Sequence, residues 1–481
     1  MLHSNPDQIF MDLIVTQVLS TDAKNRVVGQ EDVDLFTMSE LKHDEWDYSF
    51  PTLVSGNTPY REPTKNTEAF RSALSKQFPF KIDMTNLLLA GGCCSEIYLT
   101  GSASGDMDLF VYGLSSPEEA TNRVRKLLDD LDSGYRQHLT EEHEREKARN
   151  RERLQAQGKP LPSETEEKWK PEYEVKCIRN KNAITVIIAD RYTVQIILRL
   201  YKSKSEILHG FDLGSSAVGW DGNELYFTSL GKFAHEYSCN IIDTTRRSTT
   251  YERRLRKYFE RGFEIIFPNL NTAALKSKNL KHGLSEVVDF PYFSFSYNKL
   301  KGNKIYLDRF LFDTAARKHG VSSSDYQIED LHEHNVFYIN LHSLAHETSD
   351  YYFIHEKHPI TDILTSKPTM SRRRVINYFD ALKERAESGK SLNIHTIRTY
   401  CKDLTKLATV LDDEKESIED FLADMIENEK QRILKLVKNI TDENTKFPIE
   451  WRIENPGTQL TGSFNPIMED PEKWYGEYYS A

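Results

Sequence analysis

Two carboxylates two positions apart, in the run Asp106-Met107-Asp108-Leu109, are the residues of this chain best placed to do chemistry. If the run is a strand, the alternation of side chains puts Asp106 and Asp108 on one face. Hard oxygen donors of this kind suit Mg²⁺ or Mn²⁺, and two ions so held stabilise both the attacking and the leaving oxygen of a phosphoryl displacement. Upstream, separated from Asp106 by thirteen residues, stand Gly91 and Gly92, at the end of Leu89-Ala90. Glycines there let the backbone amides of a following helix approach a triphosphate closely. A basic feature lies further on: in TRRSTTYERRLRKYFERG, Arg253, Lys257 and Arg261 recur four apart, with Arg246, Arg247 and Arg254 close by. Such a stripe suits a triphosphate or an RNA backbone, and reads equally as a solvated helix face paired with Glu252 and Glu260.

The elements that must position these groups follow from periodicity. TNLLLAGG reads as a buried strand ending on two glycines, CCSEIYLTG as a short helix and DMDLFVYGL as a second strand. Ser116-Pro117-Glu118-Glu119 supplies a cap, a first-turn proline and a capping Glu for a helix with Ala120, Val124, Leu127, Leu128 and Leu131 on its apolar side. Apolar residues then almost vanish over 136–171, which predicts a solvated helix and linker inserted between halves of one sheet. YEVKCI, AITVII and YTVQIILRL form an antiparallel meander, and AVGW and ELYF flank the turn Asp221-Gly222-Asn223. Residues 249–262 read as a helix with Tyr251, Leu255, Tyr258 and Phe259 on its apolar side.

Four regions result. Residues 1–80 form an irregular leader with a short helix near Thr67 to Gln77; 81–230 hold the glycines, the acids and the insertion; 231–367 are mixed; 368–481 are helical with a surface tail, opening near Arg372-Arg373-Arg374. The class is α+β, a mixed sheet with flanking helices plus a helical C-terminal region.

The composition of the 481 residues narrows the function. Lys and Arg number 63 against 74 Asp and Glu, a net charge of -11, so a phosphate backbone is repelled unless a basic face is segregated. No run approaches the length of a spanning helix, and the N-terminus lacks the pattern of a secretory signal, which predicts a cytoplasmic or nuclear protein that is not secreted and has no membrane partner. The five cysteines show no CxxC spacing, so neither a disulfide framework nor a thiolate zinc site is expected. His342 and His346, four apart beside Glu347, are compatible with zinc but lack the HExxH order, and belong to a histidine-rich stretch that includes His319, His332, His334, His355 and His358.

Ala90-Gly91-Gly92 with Asp106-Met107-Asp108-Leu109, set on strand, helix and strand, resembles the nucleotidyltransferase superfamily typified by DNA polymerase beta and poly(A) polymerases, over roughly residues 80–230. The resemblance implies that Asp106 and Asp108 bind Mg²⁺ or Mn²⁺, that Gly91 and Gly92 contact the phosphates of an NTP, and that a nucleoside monophosphate passes to a hydroxyl of RNA, protein or a small molecule. That superfamily takes a third carboxylate from a later strand, and the best placed run here is Val194-Gln195-Ile196, with a neutral residue in its centre. Asp190 and Asp212 are the nearby substitutes. A catalytically inactive interaction or nucleotide-binding module of the same fold is the alternative. YTVQIILRLYKSKSEILHGFD and NPGTQLTGSFNPI also resemble uncharacterised proteins of large DNA viruses and microbial eukaryotes.

Overall fold

The structure, a computed structural model, describes residues 6–26, 31–42, 53–54, 63–160 except 65 and 104, 169–243 except 181, 251–266, 268, 353–365 and 448–452, with a few short pieces elsewhere. The first half contains α1 (Pro6–Asn25), β1 (Phe36–Thr37), β2 (Leu53–Val54), α2 (Thr67–Gln77), β3 (Leu87–Ala90), α3 (Gly92–Thr100), β4 (Met107–Tyr112) and α4 (Pro117–Ala156). Then come β5 (Val175–Arg179), β6 (Ala183–Ile188), β7 (Tyr192–Tyr201), α5 (Lys204–Leu208), β8 (Val218–Trp220), β9 (Leu225–Phe227), α6 (Ser229–Tyr237), β10 (Cys239–Ile241), α7 (Tyr251–Glu260) and β11 (Glu264–Ile266). Short strands β12 (Phe295–Ser296), β13 (Val336–Phe337) and β14 (Phe353–His355) follow.

The main sheet has the order β1-β9-β8-β3-β4-β7-β6-β5-β14. It is mixed, because β4 runs parallel to β7 and antiparallel to β3, while β5, β6 and β7 form the antiparallel meander. A parallel neighbour requires a crossover, which α4 and the first two strands of the meander supply. The fold is therefore α+β, a large mixed sheet flanked by helices. The helical region expected over 368–481 and Arg372-Arg373-Arg374 fall almost wholly outside the described residues.

Alternation assigns the two faces. Met107, Leu109 and Val111 of β4 join Val194 and Ile196 of β7 in a core with Cys94 and Ile97 of α3 and Val124, Leu127, Leu128 and Leu131 of α4. On the opposite face Phe110, Ile197 and Tyr201 pack with Ile207, Leu208 and Phe211. Asp108 and Gln195 share the parity of Phe110 and Ile197 and so belong to this second face. The α4 cap forms as its sequence predicts, with the Ser116 hydroxyl accepting from the Glu119 amide at 3.2 Å. Burial along α4 ends at Tyr135, and its charged second half continues as uninterrupted helix.

The N-terminal region departs from the irregular leader expected of it. Residues Pro6–Asn25 are helical, and Val15 of α1 packs against Leu230 and Phe233 of α6. Polar residues interrupt any regular apolar stripe in PDQIFMDLIVTQVLSTDAKN, which hid the helix. Further along, β1 pairs with β9 at the edge of the main sheet. Asp34 fixes this approach: it accepts from the Ser229 amide at 3.1 Å and lies 3.0 Å from Nε2 of the fully buried His209.

Candidate functional site

The candidate site begins where β3 ends. Gly91 has φ 92° and ψ -146°, a conformation reserved for glycine, and its carbonyl accepts from the Ser95 amide at 3.2 Å as α3 begins. A Cβ built on Gly91 would lie 3.2 Å from the Phe211 ring and 3.9 Å from Oδ2 of Asp108. One on Gly92 would lie 2.9 Å from the Tyr258 hydroxyl and 3.8 Å from Nη1 of Arg261. The glycine turn thus has the carboxylate on one side and α7 on the other. Gly91→Ala is expected to cost about 1–3 kcal/mol from backbone strain alone, read as a lowered midpoint in urea; a midpoint equal to wild type would contradict the assigned conformation.

Asp108 is half-buried on β4, and Asp106 is exposed just ahead of that strand. Burial, and then the negative charge of Asp106, push the Asp108 carboxyl up to about 7, with Lys257 opposing. A desolvated carboxylate beside a like charge is the arrangement that a divalent cation relieves, so the donor set fits Mg²⁺ or Mn²⁺. The sign of the pH effect follows. With its folded pKa above the ordinary value of 3.8, Asp108 contributes most favourably below about pH 4, and that contribution is lost as pH rises through about 7. Metal-free wild type is expected to lose stability relative to Asp108→Asn over that window; parallel pH profiles of the two proteins would refute this.

The neighbouring strand carries no further charge at this level. Asp108 is paired in register with Gln195 of β7, and Gln195 with Thr185 of β6. The Gln195 amide nitrogen lies 3.5 Å from the Thr185 hydroxyl. Asp190 is exposed in the turn between β6 and β7. Asp212 is fully buried and accepts a bidentate pair of hydrogen bonds from Arg254. Among the described residues no group of three or more His, Cys, Asp or Glu is placed to hold a metal ion, so neither suggested substitute completes a third carboxylate.

Of the basic candidates, Lys257 and Arg261 reach the site. Arg261 Nη2 lies 3.1 Å from Oε1 of Glu96 on α3, and the Lys257 charge acts on both Asp108 and Glu96. The Arg253 side chain lies outside the described residues. The helix face turned to the site is instead Arg254, Lys257, Tyr258 and Arg261, spaced i, i+3, i+4 and i+7. Glu96 is the participant that the sequence did not point to, while Arg254 was placed only beside the basic stripe and Tyr258 only on the apolar side of its helix. Counting from the buried Tyr258 back one turn to Arg254 and forward to Arg261 contains the missing signal. Gly92 and Glu96, four apart on α3, contain the other.

Cys93 adjoins the acids, but burial, reinforced by Asp108, Glu96 and Asp106, pushes its thiol up and keeps it protonated. Two members of the histidine-rich stretch are described. His358 contacts Asp132 at 2.9 Å, and His355 Nε2 lies 3.1 Å from the Pro359 carbonyl. His319, His332, His334, His342 and His346 lie outside the described residues.

Fold and site together define a mixed α+β protein in which a glycine turn, two carboxylates and a basic helix converge at one end of the sheet. Its kinship is viral: the chain is 39% identical over 476 residues to "Uncharacterized protein R883" of Acanthamoeba polyphaga mimivirus, a match covering 96% of this chain and 98% of that protein, and it belongs to the same family. Residues 64–237, which include the glycine turn and both acids, match the model of the Gabija anti-defense 2 (Gad2) family protein. No solved structure matches the chain. Among the described residues no helix is long and apolar enough to cross a membrane.

Proposed function

We propose that this chain is a nucleotidyltransferase-type protein, which takes an NTP with Mg²⁺ or Mn²⁺ and passes its nucleoside monophosphate to a hydroxyl acceptor. The observation that carries this reading is the placement of Asp108 across from the Gly91 turn, with Lys257 and Arg261 of α7 beside it. Asp106 and Asp108 hold the cation, which supplies neutralisation of phosphate charge. Backbone amides following Gly91 and Gly92 face the polyphosphate, and Lys257 and Arg261 offset its remaining charge. The acceptor oxygen, on RNA, protein or a small molecule, bonds to the α-phosphorus as the bond to the leaving pyrophosphate breaks. The hydroxyl proton goes to solvent, because the Gln195 amide beside Asp108 is no base.

That same residue favours a second reading. With a neutral side chain where a third ligand would stand, the site holds a nucleotide without turning it over, as an inactive nucleotide-binding or interaction module. The anti-defense description of the Gad2 family gives either reading a setting, nucleotide handling directed against a host defence.

Incubation with labelled NTPs, Mg²⁺ or Mn²⁺ and mixed RNA separates the two. Incorporation that vanishes in the Asp106→Ala/Asp108→Ala protein supports transfer. A higher melting temperature with NTP and Mg²⁺ but no incorporation supports the binding module. Neither response from the folded wild-type protein sinks both.

A further inference from the structure

Glu96 stands one helical turn after Gly92 on α3, so the two share a helix face. The Arg261 guanidinium spans them: Nη2 is paired with Oε1 of Glu96 at 3.1 Å, while Nη1 is 3.8 Å from the position a Gly92 Cβ would occupy. Both side chains are largely buried, Arg261 at 25% and Glu96 at 19% exposure, so their pairing is less screened than a surface ion pair. Arg254, the other arginine on this face, is engaged bidentately by the buried Asp212.

We propose that Glu96 is a specificity-determining residue, holding Arg261 over the glycine turn in an ion pair that a polyphosphate chain displaces and a single phosphate does not. The inference rests on the nucleotide reading of the site and adds the selection among phosphate ligands. A triphosphate lying from the cation toward Gly92 brings terminal oxygens to the guanidinium and replaces one carboxylate by a group of higher charge that also accepts bidentately. A monophosphate held at the cation stops short of Arg261, and Glu96 keeps its partner. Glu96 therefore lowers affinity for a polyphosphate, which has to displace it from Arg261, and leaves a monophosphate, which does not reach Arg261, nearly unaffected.

Calorimetric titration of the full chain in Mg²⁺ with inorganic tripolyphosphate and with orthophosphate tests this. Glu96→Gln is expected to tighten tripolyphosphate about fivefold or more while orthophosphate stays near its wild-type affinity, which widens the preference for the longer ligand. Arg261→Gln is expected to weaken tripolyphosphate and to abolish the gain from Glu96→Gln in the double variant. Glu96→Asp keeps the charge but shortens the reach, and is expected to fall between wild type and Glu96→Gln. Melting curves show that each variant is folded. If Glu96→Gln binds no more tightly, or if its gain persists with Arg261→Gln, the proposal is overturned even where wild type binds or transfers nucleotide. If folded wild type and every variant bind neither NTP nor tripolyphosphate, the nucleotide reading itself falls, and this inference with it.

Discussion

With Asp108 replaced by asparagine, the metal-free protein is expected to melt above wild type and to lose the further stabilisation that the proposed binding of Mg²⁺ and NTP would confer. The two effects have opposite signs because they share one origin. Asp108 is charged at a cost, set by burial and by the adjacent Asp106, which the isosteric amide avoids. Groups held against stability at a binding site yield gains of roughly 0.5–2 kcal/mol when neutralised. The same charge attracts the cation, and ligand at a hundred times its dissociation constant stabilises by about 2.7 kcal/mol. Thermal melts of both proteins, with and without Mg²⁺ and NTP at neutral pH, measure each term. An asparagine variant that melts below wild type, or responds to ligand as wild type does, would remove Asp108 from the site.

Arg254→Ala is expected to produce the largest loss of stability, about 3–5 kcal/mol, because it strands a buried carboxylate. Asp212 has no exposed surface and receives both of its hydrogen bonds to Arg254 through a planar fork. Lysine retains the charge but not the fork, so Arg254→Lys is expected to recover only part of the loss. Since Arg254 seats α7, the positions of Lys257, Tyr258 and Arg261 depend on the same contact. Urea denaturation of both variants decides the matter; a cost under about 1 kcal/mol for alanine would show that Asp212 is solvated or paired elsewhere.

Much of the candidate site was legible because its chemistry is local. The strand before Gly91 and the helix after it are visible in apolar runs punctuated by glycine, and the i, i+2 spacing of Asp106 and Asp108 is itself a statement about one face of a strand. The superfamily resemblance also singled out Val194-Gln195-Ile196 as the run to look for beside the acids, and Gln195 pairs in register with Asp108. What stayed hidden depends on packing between distant segments. Nothing near Arg254 in sequence names Asp212 as its partner, and the choice among the arginines of α7 is a rotation of the helix by one residue, decided by where Leu255 and Tyr258 are buried. Helix α1 was illegible for a related reason: its stability comes from α6 and not from a regular apolar stripe of its own.

The outermost strand of the sheet has a consequence for synthesis. Residues of β14 register against β5 across a long stretch of chain, Phe353 opposite Arg179. At ribosomal speeds, roughly ten to thirty-five seconds pass between the emergence of the two. During that interval the outer edge of β5 presents bare amides and carbonyls, the kind of surface that recruits chaperones or foreign strands. Truncated or stalled products ending before residue 353 should therefore be the sticky form of this protein, even though every residue of the candidate site has by then been made.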